Sequence, residues 1–405
     1  MLYDLHELQR AFLAPLAAFT STGSQLFSNP YSPLAYTPLS RQLAAAYELA
    51  NRLGKDYEKP AWNLHSTTID GRETPVFEDT ALAQPFCRLV HFRRDTPRHD
   101  PVVLVVAPLS GHHATLLRDT VRTLLPDHDV YVTDWVDARM VPAEDGTFGL
   151  DDYVHYIQTF LRHLGPDTHV MSVCQPTVPV LAAISLLASA GEACQPRSMV
   201  MMGGPIDARK SPTQVNRLAT TKPYSWFEDT LIHRVPTRYP GAGRLVYPGF
   251  LQHAGFVAMN PDRHVKSHYD FYLDLVRGDE SDADAHRRFY DEYNAVLDMP
   301  ARFYLDTIRI IFQEFSLPRG LWTVDDVLVE PAAIRKTALL TIEGELDDIS
   351  GQGQTHAAHA LCANLSPSMR EIYTAKHCGH YGIFAGSRWR QQICPKISAF
   401  IRAHA

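Results

Sequence analysis

The sequence predicts an α/β protein: a doubly wound, mostly parallel sheet with a mainly helical insertion late in the chain. Three observations predict it. Short apolar, β-branched runs alternate with helical stretches from about residue 74 to Met202. The alternation stops at Gly203-Gly204-Pro205, and residues 206 to about 330 are rich in aromatics with little strand pattern. Strand-type runs then resume at 338–342 and 371–374, and a helix over about 387–402 closes the chain.

Taken in order, residues 4–27 set Leu5, Leu8, Phe12, Leu16 and Phe19 at steps of three and four, an amphipathic helix pattern. Asn29-Pro30-Tyr31-Ser32-Pro33 breaks it, and a second helical segment follows at about 40–54. Such a pair packs on the core or on a sister subunit, or attaches to an apolar surface. Residues 86–93 read as a strand. Residues 102–107 are apolar throughout, as in a parallel strand buried on both faces, and lead through Pro108-Leu109-Ser110-Gly111-His112-His113 into a helix at 114–125. Strands at 130–133, 169–173 and 198–202, with helices at 151–164 and 178–190 between them, continue the alternation. A sheet interrupted by a helical insertion and then completed is the layout of an α/β-hydrolase with a lid. It divides the chain into a first core part with the N-terminal helices (1–204), a lid (205–330) and a second core part (331–405).

Composition narrows the function classes. A chain of 405 residues can bury a large core, and 45% hydrophobic with 20% charged residues is ordinary for a soluble globular protein. The formal charge of −7 argues against a surface that tracks nucleic-acid phosphates. The opening Met-Leu-Tyr-Asp-Leu-His-Glu-Leu lacks the basic start of a secretory signal, and no stretch is long and uncharged enough to span a bilayer. Cys87, Cys174, Cys194, Cys362, Cys378 and Cys394 are scattered, without C-x-x-C or zinc spacing. Free thiols in a reducing cytosol are therefore expected.

The run Asp167-Thr-His-Val-Met-Ser-Val-Cys174-Gln-Pro carries a strand straight into a helix, with a nucleophile-type side chain at the turn. The nucleophile elbow has small residues at −2 and +2, because the turn is sharp and strained. Here Ser172 and Pro176 stand there, so the match is to the shape of the motif and not to its glycines. In that fold the acid follows a late strand and the base follows the last one. Glu343-Gly344-Glu345-Leu346-Asp347-Asp348 and Lys376-His377-Cys378-Gly379-His380-Tyr381-Gly382 occupy those two places. The Gly-x-x-Asp spacing favours Asp347 over Asp348, and the flanking glycines favour His380 over His377. The predicted triad is Cys174, Asp347 and His380. The oxyanion donors would be the N–H of Gln175 and one from Leu109 or Ser110; His112 and His113 read as structural as readily as catalytic. A cysteine nucleophile gives a thioester intermediate, which water can hydrolyse or another thiol such as CoA can accept. Hydrolase and acyltransferase both remain open on chemistry alone.

At these residues the sequence resembles the intracellular poly(3-hydroxybutyrate) depolymerase family. The likeness lies in Leu-His-Glu-Leu-Gln-Arg-Ala-Phe (5–12), Ser28-Asn29-Pro30-Tyr31-Ser32-Pro33, the Ser172-Val173-Cys174-Gln175-Pro176 elbow, Gly203-Gly204-Pro205-Ile206-Asp207 and Cys378-Gly379-His380-Tyr381-Gly382-Ile383-Phe384. The resemblance implies a cytoplasmic enzyme working on polyhydroxybutyrate granules, which cleaves the amorphous polymer to monomers and short oligomers through Cys174, Asp347 and His380. It implies no metal and no organic cofactor. Polyhydroxyalkanoate synthases are related and also use a cysteine elbow, but usually keep glycines around the cysteine, which this chain lacks. A non-catalytic granule-surface protein with an inert Cys174 is the third reading, and a homo-oligomer is compatible with all three. Because a polyester strand is apolar and needs a desolvated channel, Trp226, Phe227, Tyr247 and Phe250 of the insertion are expected to line it.

Overall fold

The structure, a computed structural model, describes residues 2–259 and 261–405. Strands appear where β-branched, apolar runs stand between turn residues. In chain order they are β1 (Ser66–Ile69), β2 (Arg72–Gln84), β3 (Cys87–Arg94), β4 (Val102–Val106), β5 (Asp129–Trp135), β6 (Thr168–Val173), β7 (Ser198–Met202), β8 (His233–Arg234), β9 (Leu245–Tyr247), β10 (Met299–Pro300), β11 (Thr323–Val324), β12 (Val327–Leu328), β13 (Ala338–Gly344) and β14 (Arg370–Ala375). The helices are α1 (Leu2–Ser28), α2 (Ser40–Gly54), α3 (Arg118–Leu124), α4 (Leu150–Leu164), α5 (Thr177–Ser189), α6 (Gln214–Thr221), α7 (Tyr224–Leu231), α8 (Gly249–Met259), α9 (Pro261–Arg277), α10 (Glu280–Asn294), α11 (Ala301–Asp306), the single turns α12 (Ala358–Leu361) and α13 (Gly386–Arg388), and α14 (Cys394–Ala403).

The main sheet has nine strands in the order β1-β2-β3-β5-β4-β6-β7-β13-β14. The first three and their junction to β5 are antiparallel. From β5 through β4, β6, β7 and β13 to β14 every pairing is parallel. Parallel strands need covered faces, and β6, β7 and β13 are buried at every position. Helix α5 is apolar nearly all round and buried along most of its length, as a helix running behind a central strand must be. This is the α/β-hydrolase arrangement, with the antiparallel ribbon β1–β2 extending one edge. Nothing in the alternation of residues 66–84 marks that ribbon clearly, because its outward positions carry Glu73, Glu78 and Asp79 and half of it faces water.

Between β7 and β13 the chain forms α6 to α11 and the three-stranded sheet β10-β9-β8, outside the main sheet. Its end differs from the expected lid boundary at 330. Leu297, Met299, Phe303, Ile311, Leu317, Trp322, Val324 and Val329 already pack into the main core. Aromatic content looks alike in a cap and in a core, so composition does not locate that return. Among the described residues no helix is long and apolar enough to cross a membrane.

Candidate active site

Cys174 follows the last residue of β6 and takes φ of +68°, a conformation that costs a side-chain-bearing residue energy. Its N–H donates to the Met202 carbonyl at 2.7 Å, and its carbonyl accepts from Thr177 N–H at 3.2 Å. Ser172, fully buried, donates its hydroxyl to the Val200 carbonyl at 3.3 Å. The glycine that the turn needs comes from outside the elbow. A Cβ on Gly204, in the loop after β7, would fall 1.8 Å from Thr177 Oγ1 and 2.4 Å from the Cys174 carbonyl oxygen. Only glycine lets the two loops meet. The sequence signal was Gly203-Gly204, separated from the elbow by a helix and a strand.

The acid and base loops are laced together in the same way. Leu346 N–H donates to the Cys378 carbonyl at 2.9 Å, and a Cβ on Gly344 would stand 2.4 Å from that oxygen. Asp347 Oδ1 accepts the N–H groups of Ile349 (2.9 Å) and Ser350 (2.8 Å), which leaves Oδ2 to His380 Nδ1 at 2.8 Å. The Asp347 side chain is 1% exposed and that of His380 4%. Cys174 is the other group close enough to act on the ring electrostatically. Burial alone would depress the imidazole pKa. The negative charges of Cys174 and Asp347, with the hydrogen bond to Asp347, outweigh burial and hold it well above its ordinary value. Asp348 is exposed. His377 is exposed too, and its own N–H bonds to Glu345 Oε2 at 2.7 Å.

The loop after β4 starts from a pinned residue. Ala107 N–H donates to Thr133 Oγ1 (2.9 Å), and its carbonyl accepts from Trp135 Nε1 (2.8 Å) and the Tyr153 hydroxyl (3.3 Å). Leu109 is buried and Ser110 half-buried in that loop. Among the described residues, no partner accepts the N–H of Leu109, Ser110 or Gln175. The Gln175 side chain, 8% exposed, has no hydrogen-bond partner among the described residues at either Oε1 or Nε2. His112 is a clamp: its Nε2 donates to the Tyr293 carbonyl at 3.2 Å and its ring stacks on Phe256. Burial presses His112 down to about 4. Burial, and then the charges of Lys59 and Arg139, press His113 down to about 3. Both are neutral at ordinary pH, which suits an anchor between loop and insertion.

The four aromatics expected to line a channel all pack against other side chains, and Trp226, Tyr247 and Phe250 remain half-buried. Phe227 is 1% exposed, in a satellite core with Ala219, Leu305 and Ile308, and Trp226 packs edge-on against it. Tyr247 lies against Tyr304 at 4.4 Å. Phe250 is stacked on His6 of α1 at 4.0 Å and meets Tyr3 edge-on. Satellite cores absorb the large rings of a cap with little sheet to pack on. The aromatics beside the site are Phe256, Phe289, Tyr293 and Tyr381, which link α8 and α10 to the loops of His112 and His380. Only the position of Tyr381 next to His380 marked any of them in the sequence. All six cysteines are free. Among the described residues no three His, Cys, Asp or Glu side chains are grouped as metal ligands would be.

Residues 203–405 match the family described as PHB de-polymerase C-terminus, which takes in half of the chain. The chain belongs to the PHB de-polymerase family. Family and fold together make this protein an ester hydrolase. No curated protein matches it. Solved structures similar to it include the monoacylglycerol lipase of Paleococcus ferrophilus, at 13% identity over 75% of this chain and 95% of that one, with a TM-score of 0.45. The meta-cleavage product hydrolase from Pseudomonas fluorescens is similar at 13% identity over 84% and 98%, with a TM-score of 0.43. A hydrolase from Pseudomonas aeruginosa is similar at 14% over 81% and 97%, with a TM-score of 0.42.

Proposed function

We propose that this protein hydrolyses the ester bonds of amorphous poly(3-hydroxybutyrate) at polymer granules in the cytoplasm, through Cys174, His380 and Asp347. The observation that carries the proposal is buried His380, its Nδ1 2.8 Å from Asp347 Oδ2 and its pKa raised in part by the neighbouring Cys174. An imidazole whose pKa is lifted in this way keeps its proton near neutral pH and serves as counter-cation to a Cys174 thiolate. The sulfur attacks the ester carbonyl, and the charge that develops on oxygen falls to the N–H of Gln175 and of Leu109 or Ser110. Free donors aimed at such an oxygen are each worth about 100- to 1,000-fold in rate. As the tetrahedral adduct collapses, the C–O bond breaks and His380 Nε2 hands its proton to the departing alkoxide, releasing a shortened chain with a hydroxyl end. A thioester on Cys174 remains. Water, deprotonated by His380, attacks that thioester; the C–S bond breaks, and a hydroxybutyrate carboxyl end leaves. Asp347, held by the N–H groups of Ile349 and Ser350, fixes the ring orientation throughout.

The test is release of hydroxybutyrate from amorphous granules by wild type and Cys174→Ala, with and without CoA. Wild-type release that disappears in the variant supports the proposal. Release of a CoA thioester in place of the free acid would move the acceptor from water to CoA. If neither protein releases product, the reading fails.

A further inference from the structure

From Ala11 to Ser40 the chain holds no Asp, Glu, Lys, Arg or His. A soluble surface helix keeps a charged face toward water, yet this stretch is exposed. Along α1, Leu5 is 60% exposed, Leu8 65%, Phe12 84%, Leu16 57% and Phe19 62%. At ~1.5 Å per residue, the row from Leu2 to Leu26 runs about 36 Å. It continues over the turn between α1 and α2 through Tyr31, 95% exposed, and Tyr36, Leu39 and Leu43. Large contiguous apolar patches of this kind mark interaction surfaces.

The hairpin of α1 and α2 is bolted to the insertion at both ends. Tyr3 donates to Asp298 Oδ2 at 2.7 Å and packs with Val235 and Val246. Arg52 of α2 donates to Asp291 of α10 at 2.9 Å, and Arg287 of α10 donates to Glu48 of α2 at 2.7 Å. Helices α8 and α10 in turn lie over the loops of His112 and His380. The apolar face therefore rides on the same superstructure that covers the site. On the neighbouring α9, Val265 and Tyr269 are likewise exposed, at 70% and 60%.

We infer that this face docks the enzyme on the surface of its own water-insoluble polyester substrate, an inference that rests on the proposed function for the identity of the polymer. Charge decides among occupants. Helices that bind anionic lipid carry Lys and Arg on the polar flank, whereas this stretch has none and the whole chain is at −7. A second protein copy would ordinarily find its register through charged groups along the contact, and the thirty central positions of this face offer none, the nearest standing only at its ends with Arg10 and Arg41. A polymer of esters, methyls and methylenes is equally uncharged and needs no register.

The experiment uses the full chain carrying Leu8→Ser, Phe12→Ser and Leu16→Ser together, with Phe12→Ser alone as a milder variant. Three readouts are taken: sedimentation with amorphous polyhydroxybutyrate granules, hydrolysis of a soluble short-chain ester, and mass by light scattering. The expected result is granule binding weakened about 100-fold or more in the triple variant and about 10-fold in the single one, with soluble-ester turnover and mass unchanged. Equal binding by variant and wild type overturns the inference. So does a wild-type dimer that the triple variant splits, which would assign the face to a second copy. Wild type that binds neutral phosphatidylcholine vesicles as tightly as granules assigns it to lipid and overturns the polymer. Failure of the underlying reading looks different: wild type would then sediment with granules yet hydrolyse neither polymer nor soluble ester.

Discussion

The sheet that carries the elbow and the superstructure of hairpin and insertion are built on opposite plans. In the sheet, β6, β7 and β13 have no exposed position, and Cys174 and Asp347 at its strand ends are held by main-chain N–H and C=O groups. The superstructure has small satellite cores, joins itself by ionisable groups such as Arg287–Glu48 and Tyr3–Asp298, and leaves a long apolar face open. A nucleophile, a base and an acid must hold position to a fraction of an ångström, which close packing supplies. A covering element that must admit a polymer chain gains from being separable, and few-residue cores joined by polar contacts separate at low cost.

The sharpest way to break this contrast is at His380. If the chemistry belongs to the sheet alone, His380→Ala removes activity on polymer and on a soluble ester alike, by on the order of 10⁴-fold or more. Asp347→Asn should lose nearly as much, because a ring in the wrong tautomer cannot return the proton. Circular dichroism and granule sedimentation should be unaltered in both. A variant that kept soluble-ester turnover would place the base elsewhere.

How much of this was legible in the sequence follows the same division. β7 begins and ends where its apolar run does, and β4, β6, α4 and α5 agree to within a residue or two, because residues that are buried on all sides leave a pattern in hydropathy alone. The meeting of Asp347 with His380 could be anticipated because strand ends in this topology converge. The missing elbow glycines could not: Gly204 makes its contact across a helix and a strand, and one-dimensional spacing does not encode that approach. In the insertion, aromatic content identified a cap but not which rings face the site. Neither the acidic surroundings of Phe227 nor the apolar ones of Phe256 say which ring meets the site; the packing of α7 against α11, and of α8 over His112, separates them.

The satellite core offers a second test. Phe227→Ala removes the fully buried ring from the cluster with Ala219, Leu305 and Ile308, and a truncation of that size typically costs about 3–5 kcal/mol. If the superstructure is separable, the loss is local. Hydrogen exchange should accelerate across α6 and α7 and leave β4, β6 and β7 protected. Equal loss of protection in the sheet would show the two regions to be one cooperative unit and would remove the contrast.

The smallest effect expected is electrostatic, at the foot of α1. Asp137, in the loop after β5, and Asp298 are buried side by side. Arg139 Nε lies 2.9 Å from Asp137 Oδ2, and Asp298 N–H donates to Asp137 Oδ1. Burial, and then the charge of Asp298, push the Asp137 carboxyl up to about 7, while Arg139 opposes the shift. Burial likewise raises Asp298, the residue that holds Tyr3. In the unfolded chain both carboxyls titrate near ~4. Between that value and about 7 the native state binds more protons than the unfolded one, so stability falls as pH rises through the window and levels off above it. Asp137→Asn keeps the Oδ1 that accepts the main-chain N–H groups of Asp298 and Arg139, and discards the titration. Its melting temperature relative to wild type should therefore climb from pH 5 to pH 8, by roughly 2–4 °C, with soluble-ester turnover unchanged at each pH. A flat difference across that range would mean that the charge of Arg139 already compensates the pair, and that the joint between hairpin and insertion is as settled as the sheet beneath it.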